Sequence, residues 1–151
     1  MLTDDHRKKK ARRKKRKMSE ENRIKVVYVE PGRLATVREI GTELPDLQAA
    51  VGGWIETYYP FEEEVCIVCD DEGKFDGAFP NRTVRDTDGK IMDIIFGPFF
   101  ICDCSGEEFG SLSDEQINRY KEMFRLPERF GRVDGEIVAV QFDPRNRGFE
   151  R

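Results

Sequence analysis

The apolar residues of this chain come in short β-branched and aromatic runs, each closed by glycine, proline or a charge cluster. Such punctuation favours a sheet of short strands carrying few helices. Residues 24–30 and 34–40 flank Pro31-Gly32 and read as a hairpin. Residues 64–70 form a further strand, and residues 91–96 and 99–104 are two more, parted by Gly97-Pro98. Residues 54–59 fit a strand, although Leu47, Val51, Trp54, Ile55 and Tyr58 also fit one helical face. Residues 76–90, rich in Gly, Pro, Asn and Asp, read as a loop.

Two helices are expected. Pro45 suits a first helical turn, Leu47, Ala50 and Val51 share a face, and Gly52-Gly53 supplies a left-handed stop. Ser113-Asp114-Glu115-Gln116 is a capping box ahead of the stripe Ile117, Tyr120, Phe124, with Pro127 as the terminator. The predicted fold is therefore α+β: a single small domain over residues 24–127, with a mixed or antiparallel sheet of five or six strands and two helices on it. Residues 128–151 are expected as a loosely ordered extension, with residues 137–142 as a further strand.

Charge divides the chain sharply. Its 151 residues hold 26 basic and 30 acidic side chains, a net charge of −4. Residues 1–18 carry +8, residues 24–126 carry −11, and residues 128–151 balance five acids against five arginines. The basic leader has three readings. Arg12, Arg13, Lys14, Lys15, Arg16 and Lys17 can bind phosphates without sequence preference, or form a solvated tail. Alternatively, Met18-Ser19-Glu20-Glu21-Asn22 is the true start, because lysine and arginine codons can spell a purine-rich ribosome-binding site. No hydrophobic segment follows the leader, and no apolar run reaches 18 residues, so neither a signal peptide nor a membrane-spanning helix is expected. A cytoplasmic location with reduced cysteines follows as an expectation.

Chemistry-bearing motifs are sparse. Cys66, Cys69, Cys102 and Cys104 have the count of a zinc site, but strand geometry turns Cys66 and Cys69 to opposite faces. They read as small buried thiols. Residues 70–77 resemble a calcium loop only faintly, since Lys74 takes a ligand position and no closing glutamate follows. The sole histidine, His6, lies in the leader, so no Ser-His or Cys-His pair can form in the domain. No phosphate-binding or dinucleotide glycine motif occurs. No cofactor is expected, and nothing singles out Glu56 or Asp93 as a catalytic carboxylate. The polar constellation to watch is Asn81-Arg82, with Gly52, Gly53 and Tyr58 as companions in a small-ligand site. Arg82 can clamp a carboxylate or phosphate; the competing reading is structural.

Val29-Glu30-Pro31-Gly32, Leu47-Gln48-x-x-Val51-Gly52-Gly53-Trp54-Ile55-Glu56, Tyr59-Pro60-Phe61, Asp71-Glu72-Gly73-Lys74, Pro80-Asn81-Arg82 and Phe99-Phe100-Ile101-Cys102 stand in this order. Together they resemble domain-of-unknown-function family 3846 over about residues 24–127, with Phe79 in place of an expected leucine. The resemblance implies a cytoplasmic accessory protein of phages, plasmids or integrated elements, and it implies no reaction. The leading expectation is a non-enzymatic protein-binding module acting on a host or element protein, because a body at −12 over residues 19–151 repels nucleic acid and suits basic protein surfaces. The alternatives are a small-ligand or enzymatic site at Asn81-Arg82, and nucleic-acid binding through the leader.

Overall fold

A computed structural model describes residues 22–73 and 77–146. The leader, with its nucleic-acid candidates and the Met18 start, lies outside the described residues, as does Lys74. The elements run β1 (Arg23–Val29), β2 (Thr36–Gly41), α1 (Leu44–Val51), β3 (Ile55–Tyr58), β4 (Val65–Asp70), β5 (Pro80–Arg85), β6 (Ile91–Phe96), β7 (Phe99–Asp103), α2 (Asp114–Met123), β8 (Glu128–Val133) and β9 (Glu136–Gln141). Five strands form one antiparallel sheet in the order β2-β1-β7-β4-β3, while β5-β6 and β8-β9 are separate two-stranded ribbons. The α+β fold with an antiparallel sheet and two helices is as the sequence implied.

Strand composition explains sheet order. The central strands β1, β7 and β4 are buried on both faces, and their sequences are nearly unbroken apolar runs. The edge strands β2 and β3 interleave Arg38, Glu39 and Glu56 with apolar residues. Alternation then sorts side chains to two layers. Val26, Tyr28, Cys66, Val68, Phe100 and Cys102 meet Leu47 and Val51 of α1 on one face. Val27, Val29, Val65, Ile67, Phe99 and Ile101 meet Ile117, Tyr120 and Phe124 of α2, and Val84 and Ile95 of the β5-β6 ribbon, on the other.

The helix boundaries follow their local chemistry. Gly52 caps α1 in the left-handed region at φ 79°. On α2, the Gln116 backbone N–H donates to Ser113 Oγ at 3.2 Å, and the Ser113 N–H donates to Gln116 Oε1 at 2.9 Å. The region 54–59 is strand β3 rather than a continuation of α1.

Two segments differ from expectation. Residues 76–90 contain strand β5, not an uninterrupted loop; it pairs with β6 across a turn at residues 86–90. Residues 128–141, expected within a loose extension, form the β8-β9 hairpin, of which only the second strand was foreseen.

Candidate functional site

Strand β5 carries Asn81 and Arg82 into the interior, where both are fully buried. Asn81 Nδ2 donates to the carbonyls of Val29 (2.9 Å) and Gly97 (2.8 Å), and its Oδ1 accepts from Arg82 Nη1 at 2.9 Å. Arg82 Nε donates to the Phe124 carbonyl (3.1 Å) and Nη2 to the Arg33 carbonyl (2.6 Å), while Nη1 also reaches the carbonyls of Asn81 and Glu30. Burial lowers the guanidinium to about 10, so it stays charged at neutral pH. This cation joins β5, the β1-β2 turn and the C-terminus of α2, where the helix dipole favours it.

The residues grouped with Asn81-Arg82 lie elsewhere. Gly52 is the α1 cap, and a Cβ on Gly53 would stand 2.5 Å from the Asp70 carboxylate. Tyr58 sits in a cavity of about 210 Å³ with Glu56, Cys69, Asp70, Asp71 and Asp93, which none of Gly52, Gly53, Asn81 and Arg82 lines. Burial and the Asp93 charge raise the Tyr58 phenol.

The cysteines separate as strand alternation requires. Cys66 and Cys102 are opposed residues of β4 and β7 with sulfurs 3.8 Å apart on the α1 face, where Cys104 is also packed. Cys69 faces the other layer. All four are free thiols. Burial, followed by the surrounding carboxylates, pushes Cys69 up to about 12. No group of three or more His, Cys, Asp or Glu among the described residues is arranged to hold a metal ion.

A groove of about 750 Å³ is bounded by α2, the β5-β6 ribbon, residues 60–63 and the base of the β8-β9 hairpin. Its floor is aromatic. The Phe61 ring lies 4.7 Å from Tyr120 and 6.5 Å from Phe124, centroid to centroid. Met92 of β6 and Met123 of α2 rise on its walls, 55% and 49% exposed. Glu62, Glu63, Asp86 and Glu128 outnumber Arg85 and Arg119 along the lining.

The groove's polar groups hold one another in place. Glu63 accepts from Arg119 Nη1 (2.5 Å), from Gln116 Nε2 (3.3 Å) and from the Tyr120 hydroxyl. The Tyr120 bond, with help from Arg119 and Gln116, holds the Glu63 carboxyl below the usual glutamate range. Burial and the same carboxylate raise the Tyr120 phenol. Across the groove, Glu128 accepts from the Thr83 N–H (2.9 Å) and hydroxyl (2.6 Å), fixing β8 to β5. The α2 stripe already marked Tyr120 and Phe124. Met92, Met123, Glu63 and Glu128 carried no local signal, because the groove exists only where four separate segments meet.

No helix among the described residues is long and apolar enough to cross a membrane. No curated protein and no solved structure matches the chain. The family described as "Domain of unknown function (DUF3846)" matches residues 24–125, which take in all but the first residue of the five-stranded sheet, both helices and the β5-β6 ribbon, and the chain belongs to that family.

Proposed function

We propose that this protein is a non-enzymatic binding module that holds a short, basic, apolar segment of a partner polypeptide in the α2/β5-β6 groove. The observation that carries the reading is the exposure of Met92 and Met123 above the Phe61-Tyr120-Phe124 floor. Exposed large apolar side chains around a concavity mark contact surfaces, and methionine adapts its shape to apolar partners. Four carboxylates against two guanidinium groups along the lining favour a cationic segment. Glu63 and Glu128 are already hydrogen-bonded within the protein, which suits a rigid wall better than a proton-transfer group. The finer setting we propose is that of a cytoplasmic accessory protein of a phage or other mobile element, acting on a host or element protein.

Synthetic amphipathic peptides with the same apolar residues, one basic and one acidic, provide the test by fluorescence anisotropy. The basic peptide is expected to bind, to perturb the Met92 and Met123 methyl resonances, and to lose at least about tenfold in affinity to the charge-neutral double substitution Met92→Ser/Met123→Ser. Binding of neither peptide, equal binding of both, or binding indifferent to the double substitution would overturn the reading.

A further inference from the structure

The β8-β9 hairpin turns at Asp134-Gly135, both at positive φ (53° and 81°), in a two-residue connection that closes on Val133 and Glu136. In such a hairpin the closing pair exchanges backbone hydrogen bonds, and bonded pairs then recur every second residue. The bond from the Phe142 N–H to the Pro127 carbonyl (2.9 Å) keeps that parity at the far end. Glu136, Val138 and Val140 therefore turn their backbone groups toward β8. Ile137, Ala139 and Gln141 turn theirs outward, along an edge that pairs with no other described strand.

Among the described residues, this edge strand carries none of the sequence devices that usually blunt an edge. The strand Glu136–Gln141 has no proline, no lysine and no bulge, and its one charge sits beside the turn. Val133, Ile137 and Val140 are 60%, 44% and 61% exposed. The hairpin also belongs to the neutral part of the chain: residues 128–151 balance five acids with five arginines, while residues 24–126 carry −11. The two strands of the hairpin hold two glutamates against two arginines, so a contact here adds no net like-charge repulsion of its own.

We propose that two copies of this protein associate through β9, pairing antiparallel about a two-fold axis at Ala139 into the four-stranded sheet β8-β9-β9-β8. A two-fold axis perpendicular to a sheet must pair residues whose side chains point to the same face. Centring on Ala139 meets that condition with the outward backbone groups. Ala139 faces its own copy, Ile137 faces the second copy's Gln141, and Val138 faces the second copy's Val140. No like charges are opposed within the strand, and the smallest side chain lies on the axis.

Sedimentation equilibrium of the full chain tests this, at high salt so that the basic leader is screened. The expected result is a concentration-dependent species of twice the 17.6 kDa chain mass. Ala139→Pro removes an N–H that the hairpin itself does not use, and proline is tolerated on edge strands. It is expected to raise the dimer dissociation constant at least about tenfold while leaving the thermal transition in place. If that variant loses the hairpin, Ile137→Lys, at an exposed position, is expected to produce the same monomer with the hairpin amides still protected from exchange. A wild type that stays monomeric at all concentrations overturns the proposal, whether or not the edge accepts a strand from a different protein. So does a dimer that survives both substitutions.

Discussion

Arg82 is a fully buried guanidinium whose hydrogen bonds go to carbonyl and amide oxygens. Its planar fork reaches several acceptors in different directions, which a lysine ammonium cannot reproduce from one nitrogen. Arg82→Lys is expected to leave buried carbonyls unpaired and to lower unfolding free energy by about 2–4 kcal/mol, measured by urea denaturation. The residue was visible in the sequence, but its role was not. Its partners at Phe124, Arg33 and Glu30 lie 42, 49 and 52 positions away. Glu63 provides a pH-dependent counterpart. Its folded pKa lies below the ordinary 4.5, so its contribution is fully present above that value and is lost as pH falls through the folded pKa. The melting-temperature gap between wild type and Glu63→Gln should be constant above pH 4.5 and should narrow on acidification below it. A gap that widened instead would contradict the Tyr120-Glu63-Arg119 arrangement.

Elements whose signals are local were legible. The Ser113 capping box and the Gly52 stop act within one helical turn, so composition and spacing suffice to place them. Ser113→Ala should cost about 1 kcal/mol by thermal denaturation, because the Gln116 N–H loses its acceptor while the backbone N–H of residue 113 can still donate to Gln116 Oε1. Gly52→Ala should cost about 1 kcal/mol or more, because φ 79° strains any residue with a Cβ although no atom lies within 4 Å of it. Strand β5 was hidden for physical reasons. Pro80 and Asn81 are poor strand formers, and the β5-β6 register slips between Pro80 and Arg82 and again between Val84 and Arg85. Tertiary contacts hold it extended: Asn81 bonds to Val29 and Gly97, and Thr83 to Glu128. The first strand of the C-terminal hairpin was missed differently. Asp134-Gly135 is a strong two-residue turn signal, but Glu128–Val133 interrupts its apolar pattern with Arg129, Gly131 and Arg132.

At the scale of the whole molecule, three layers set the surface that partners meet. Helix α1 covers one face of the sheet; α2 and the β5-β6 ribbon share the other and leave the methionine-walled groove between them. Peptide affinity in that groove should fall as salt rises, because exposed charge pairs are screened, whereas an apolar contribution from Met92 and Met123 should persist. Titrating the basic peptide across ionic strength would separate the two contributions. The sequence by itself determined what depends on near neighbours: strand-length runs, both helix boundaries, the opposed faces of Cys66 and Cys69, and the division of charge along the chain. Only the tertiary structure decided what depends on distant segments meeting. It drew Asn81-Arg82 inside as a clamp, set Cys66 against Cys102 and assembled a groove from four segments, because long-range carbonyls, cross-strand register and layer packing leave no periodicity in the chain for a local pattern to reveal.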